Sequence, residues 1–157
     1  MLLSFCGKMG AGKTTYAKNL ATELNAILIS EDEWLAALYP EEIKTLGDYL
    51  KYSSRLKPLL QEHVRQLLHS GISVVMDFPG NTKKQRAWFQ EITSGQIPHK
   101  MIYLKAEDQL CLQRIAQRRE AVPQRSHFDT EQVFYQISSY FQEPSDVEGF
   151  HLEIIEQ

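Results

Sequence analysis

The segment Gly7-Lys8-Met9-Gly10-Ala11-Gly12-Lys13-Thr14 constrains this chain more than any other. It fits the pattern Gly, four residues, Gly-Lys-Ser/Thr, with an apolar run before it and a helical pattern after it. A loop of this kind turns successive backbone N–H groups inward around an anion, using dihedrals that a Cβ resists. The following helix adds the positive end of its dipole. The group that fits is a polyphosphate. Lys13 is expected to bridge the β- and γ-phosphates and the Thr14 hydroxyl to ligate Mg²⁺, with Gly7, Gly10, Ala11, Gly12 and Thr15 completing the cradle for ATP.

The flanks predict the architecture around the loop. Leu2 to Cys6 is a short apolar run that reads as a buried strand, and Lys13 to Leu24 carries Ala17, Leu20, Ala21 and Leu24 at helical spacing. Ala26 to Ile29 is apolar again, so the three form a βαβ unit whose crossover is right-handed over a parallel sheet. Helical spacing of Leu56, Leu59, Leu60, Val64, Leu67 and Leu68 predicts a helix from Asp48 to His69, which Pro58 either kinks or divides. Strands are expected at Ile72–Met76, His99–Leu104 and Phe150–Ile155, and helices at Thr82–Thr93, Glu107–Glu120 and Asp129–Phe141. Gln132 is expected to complete a capping box with Asp129 at the start of the last helix. This alternation is that of an α/β chain, and 157 residues suit one domain over 1–157.

Composition narrows the function classes. With 43% hydrophobic and 24% charged residues, disorder and coiled coil are poor readings. A net charge of -3, from 17 basic and 20 acidic residues, gives no whole-molecule attraction to nucleic acid or to an anionic membrane. Cys6 and Cys111 lack zinc spacing and fit a reducing compartment. The five histidines lack metal-ligand spacing as well. The N-terminal apolar stretch is too short for a secretory signal, and no run approaches a membrane span, so a cytoplasmic protein is expected.

A phosphate loop specifies nucleotide binding; the reaction depends on the carboxylates the sheet places around it. Asp77 ends the run Ile72-Ser73-Val74-Val75-Met76, as expected of an acid that holds Mg²⁺ directly or through water, although a turn aspartate before Pro79 is the plainer reading. Asp32 follows the second strand, where ligand crevices of parallel sheets lie, and suits a base near an acceptor hydroxyl. Against that stands helix capping by Ser30 or Asp32, and Glu31 and Glu33 compete for the same role. Arg114 and Arg118, one helical turn apart, and Arg125 beyond Pro123 either close over the phosphates as a lid or form a solvated face. Trp34, Tyr39, Tyr49 and Tyr52 either line an acceptor pocket or pack in the core.

Together these residues resemble the small P-loop kinases, AAA-type ATP-binding proteins that include zeta toxin, chloramphenicol phosphotransferase and the kinase domain of polynucleotide kinase. The likeness rests on Gly7 to Thr15, Ser30-Glu31-Asp32, Val74 to Thr82 with Arg86, Cys111 to Arg114 with Arg118, and the ending Phe141-Gln142-Glu143-Pro144 with Glu148-Gly149-Phe150. It implies a three-layer P-loop fold with a five-stranded parallel sheet in the order 2-3-1-4-5. It also implies ATP as donor, Asp32 as base for a hydroxyl acceptor, and Lys13, Arg114 and Arg118 as catalytic cations. One departure matters: polynucleotide kinases look to place an arginine three residues after the base, and here that position is Leu35. The expectation is a small-molecule acceptor rather than a nucleic-acid end, in a monomer or homodimer. A nucleotide switch without an acceptor and a 5′-end kinase are the alternatives.

Overall fold

Apolar residues on both faces of β1 (Leu2–Cys6) require layers on both sides, and the structure supplies them. In the computed structural model, which describes residues 1–157, Leu2 and Cys6 of this strand face one core and Leu3 and Phe5 the other, as the two-residue period of a strand dictates. The chain continues through α1 (Lys13–Glu23), β2 (Ile27–Ser30), α2 (Glu31–Leu38), α3 (Leu46–His69), β3 (Val74–Asp77) and α4 (Lys83–Thr93). It closes with β4 (His99–Lys105), α5 (Asp108–Ala121), α6 (Glu131–Ser138) and β5 (His151–Glu156), with one-turn 3₁₀ segments at Pro123–Arg125 and Asp146–Glu148. All strand pairs are parallel, in the order β2-β3-β1-β4-β5. This is the P-loop order that the resemblance implied.

The core on one face joins Leu56, Leu60, Val64 and Leu68 of α3 to Phe89 and Ile92 of α4. Ala17, Ala21, Cys111, Ile115 and Phe134 fill the other, from α1, α5 and α6. Both cysteines are buried and unpaired. His99 is sandwiched between the rings of Phe89 and Phe150, and burial pushes its pKa down to about 4. No helix is long and apolar enough to cross a membrane.

Three helices start on threonine. Thr45 Oγ1 accepts from the Asp48 amide at 3.1 Å while Asp48 Oδ2 accepts from the Thr45 amide at 3.2 Å, so α3 begins two residues before the expected Asp48. Thr82 and Gln85 form the same box on α4. Thr130 caps α6 through the Val133 amide at 3.1 Å, which corrects the expected Asp129–Gln132 box. Pro58 lies within one uninterrupted 24-residue helix rather than dividing it.

One buried arginine ties the C-terminal part to the site. Arg86 has 0% exposure; its Nε donates to Glu148 Oε2 at 2.7 Å and its Nη2 to Glu148 Oε1 at 3.0 Å. Its Nη1 reaches the carbonyls of Gly80 at 3.0 Å and Gln142 at 2.8 Å. A buried guanidinium is tolerated only when its donors are spent this way, and the acceptors come from the turn after β3, the segment after α6 and the 3₁₀ turn before β5. Gly80 runs so close beneath β1 that a Cβ there would lie 2.3 Å from the Phe5 carbonyl oxygen.

Candidate active site

The phosphate loop spans the gap between the carboxyl end of β1 and the first turn of α1. At Gly10, φ is +83° and an added Cβ would sit 2.6 Å from the Cys111 carbonyl of α5, so only glycine lets the loop lie against that helix. From the turn between β3 and α4, Asn81 Oδ1 accepts the Gly7 amide at 2.9 Å, fixing the loop's entry. On the outside, Arg114 Nη1 donates to the carbonyls of Ala11 at 3.1 Å and Gly10 at 3.4 Å, and Gln157 Nε2 adds a bond to Ala11 at 2.7 Å. The Ala11 amide donates to the Lys8 carbonyl at 3.0 Å, which closes the loop on itself. In contrast to α3, α4 and α6, helix α1 has no side-chain cap and no acid in its first turn, so its N-terminal N–H groups stay open to an anion.

Lys13 lies along this loop, its Nζ donating to the carbonyls of Gly7 and Lys8. Loss of hydration pulls its pKa below the ordinary lysine value, an effect that the charge of Asp77 opposes. Thr14 and Thr15 stand exposed at the start of α1. Ser30 Oγ donates to Asp77 Oδ2 at 3.2 Å, and the Thr14 hydroxyl is among the groups that favour the ionised Asp77 carboxylate. Strand register explains the Ser30 bond, because Ser30 and Asp77 are direct neighbours at the ends of β2 and β3. Partial burial raises the Asp77 pKa, while the two hydroxyls and Lys13 act against the rise. Asp77 therefore sits in the loop's neighbourhood and is not a turn residue facing water.

The three acids after β2 go three ways. Glu31 is buried and accepts hydrogen bonds from Tyr49 Oη and from Ser53 Oγ, the latter at 2.7 Å, both on α3. Burial pushes its pKa up to about 7. Glu33 pairs with Lys18 of α1 at 2.6 Å. Asp32, with 61% side-chain exposure, has no ion-pair partner closer than Arg125 at 3.9 Å. Ser30 occupies the N-cap position of α2, but its hydroxyl serves Asp77 instead of capping, so the competing capping role is not realised by that side chain.

On the α5–α6 side, Arg118 and Arg125 both bind Asp129, whose side chain is fully buried. Sequence reasoning placed Asp129 at a helix start and missed this role. Nor did it foresee the loop contact of Asn81, although Asn81 and Arg86 both stand in the segment that carried the resemblance. Of the four aromatics near the acids, Tyr49 holds Glu31, Tyr39 stacks on Tyr52 with ring centroids 4.1 Å apart, and Trp34 is 39% exposed. Leu35 is buried in the core. The chain contains no cluster of three or more His, Cys, Asp or Glu side chains placed to hold a metal ion.

Residues 2–144 match the family model described as an AAA domain. The chain belongs to this AAA domain family. Its sequence is 27% identical over 131 residues to a shikimate kinase of Azobacteroides pseudotrichonymphae, covering 82% of this chain and 74% of the relative. Its fold is similar to that of a candidate kinase from Chloroflexus aurantiacus, with a TM-score of 0.78 at 19% identity, covering 99% of this AAA-domain chain and 86% of the other. An APS kinase of Mycobacterium tuberculosis, solved with AMPPNP and APS, has a TM-score of 0.64 at 18% identity, with 99% and 87% covered. The protein is thus a P-loop-kinase-like nucleotide-binding protein of the AAA domain family.

Proposed function

We propose that this AAA-domain protein is a kinase, formed by residues 1–157 as one catalytic domain, that transfers the γ-phosphoryl group of ATP to a hydroxyl of a small molecule. The observation that carries the reading is the sorting of the acids after β2: Glu31 and Glu33 are held by partners at 2.7 and 2.6 Å, whereas Asp32 has only the looser Arg125 contact at 3.9 Å, at the carboxyl edge of the sheet, on the same side as the phosphate loop. In the reaction the Asp32 carboxylate takes the acceptor's proton as its oxygen bonds to the γ-phosphorus. The bond from that phosphorus to the β,γ-bridging oxygen breaks, and ADP leaves.

Gly7, Gly10, Ala11, Gly12, Thr14 and Thr15 cradle the phosphates in this reading, with Lys13 on the β- and γ-groups. Arg114 acts on the nucleotide through the loop it braces, and Arg118 meets the transferring group. Thr14 and Asp77 would hold Mg²⁺. Their oxygens fit that ion, because a hydroxyl and one carboxylate leave the remaining positions to phosphate and water, as Mg²⁺ prefers. The ion would supply neutralisation of phosphate charge. The similarity to a shikimate kinase and an APS kinase supports a small acceptor. Leu35, buried where polynucleotide kinases look to carry an arginine, argues against a phosphorylated acceptor such as a nucleic-acid end. Two buried free thiols suit the cytoplasm.

The test is Asp32→Asn, assayed by phosphate transfer and by ATP binding. Loss of general-base catalysis should lower transfer by about 10²–10⁴-fold while ATP affinity stays within a few-fold. Full transfer by the variant would refute the assignment of Asp32.

A further inference from the structure

We propose that Asp129 is a positioning residue that presents Arg118 and Arg125 to the γ-phosphate of the bound nucleotide. The proposal rests on the reading above only in that the phosphate loop takes a nucleoside triphosphate; it requires no acceptor.

Asp129 is 1% exposed, and its carboxylate accepts from two arginines at once. Arg118 grips it as a fork, Nη2 on Oδ1 at 2.6 Å and Nε on Oδ2 at 3.0 Å. Arg125 adds Nε on Oδ2 at 3.1 Å, and its own carbonyl accepts the Asp129 amide at 2.8 Å. One negative and two positive charges leave this cluster with a net positive charge. A purely structural pair would need only one of the arginines.

The remaining donors point to the partner. Both arginines spend their Nε edge on Asp129, which leaves Nη1 of Arg118 and both Nη groups of Arg125 without hydrogen-bond partners in the chain. Each arginine keeps 37% side-chain exposure. Arg118 stands one helical turn beyond Arg114, which bonds the Ala11 carbonyl of the phosphate loop at 3.1 Å. Arg125 Nη1 lies 3.9 Å from Asp32 Oδ2 at the other end. The row Arg118, Asp129, Arg125, Asp32 therefore runs from the helix that braces the donor loop to the proposed acceptor base. Free guanidinium edges between those two points match the forked recognition that arginine gives to phosphate oxygens. A buried carboxylate that fixes both side chains beforehand removes the entropy that two long arginines would otherwise lose on binding.

The experiment measures binding of AMPPNP and of ADP by calorimetry, for the natural chain and for Asp129→Asn, Asp129→Glu and Arg118→Lys. The natural chain should favour AMPPNP over ADP. Asp129→Asn should reduce that preference by about tenfold, the size of one lost charge-assisted hydrogen bond, with ADP affinity within about twofold and with Asp129→Glu restoring part of the preference. If Asp129→Asn does not fold, Arg118→Lys breaks the fork, keeps the charge and should show the same selective loss. An unchanged preference in folded variants, equal losses for both nucleotides, or no preference in the natural chain would overturn the proposal. Failure of the kinase reading shows separately, as absent phosphate transfer by a chain that still discriminates AMPPNP from ADP.

Discussion

The two halves of the site are made of different material. The donor half is backbone: a glycine loop pressed against α5, an uncapped helix start, and carbonyls held by Arg114, Gln157 and Lys13. The acceptor and lid half is side chain: Glu31 between Tyr49 and Ser53, Asp32 facing Arg125, and Asp129 under two arginines. A backbone cradle is rigid and has few titrating groups, so it gives the same grip on phosphates over a wide pH range. A side-chain half can be tuned to an acceptor and carries the electrostatic cost of buried charge. The contrast teaches where change is tolerated: contacts of the loop are steric, those of the lid electrostatic.

The comparison can be broken from either side. The largest effect is expected where the two halves share a support. Arg86→Ala leaves Glu148 without its partner and strips the Gly80 and Gln142 carbonyls of a donor. It should cost about 3–5 kcal/mol, the range for breaking a buried ion pair, read as a shift in urea midpoint; a loss below about 1 kcal/mol would show that β5 docks without this bond.

Next comes the pH response of the acceptor half. Glu31 has a folded-state pKa of about 7 against an ordinary 4.5, so the folded chain holds a proton that the unfolded chain releases. Stability from this residue is fully present below about pH 4.5 and is lost as pH rises through about 7. The full swing is about 3 kcal/mol. Glu31→Gln should remove this dependence, leaving a melting temperature that falls less between pH 5 and pH 8 than in the natural chain. An equal fall in both proteins would place the pH sensitivity elsewhere.

The smallest effect belongs to the donor half. Arg114→Ala removes one of several braces on the loop, and nucleotide affinity should fall by several-fold, about 1 kcal/mol, in a calorimetric titration with ADP. A loss beyond a hundredfold would mean that Arg114 acts on the nucleotide directly.

The same contrast explains what could be read in advance. Loop, first helix and strands were legible because glycine spacing and apolar period are local, and a buried central strand such as Leu2–Cys6 reads as a plain apolar run. Asp129 was misplaced for the opposite reason. Asp-Thr-Glu-Gln looks like a capping box, yet Arg118, eleven residues earlier and one turn past Arg114, pulls the carboxylate into the interior, and the cap passes to Thr130. Arg114 and Arg118 have the same spacing signal but different partners, loop carbonyls for one and a buried acid for the other. Among Glu31, Asp32 and Glu33, no local rule separates three consecutive acids. The separation comes from Tyr49 and Ser53 on α3, Lys18 on α1 and Arg125 before α6, which reach α2 from three directions.

The central claim is that Asp32 activates an acceptor hydroxyl for attack on ATP. Incubating the protein with γ-labelled ATP and a fractionated metabolite extract, beside the Asp32→Asn variant, tests it most directly. The account predicts label in a new small phosphorylated product, dependent on one fraction and absent with the variant. Label released only as inorganic phosphate, at equal rates in both proteins and with every fraction, would contradict it.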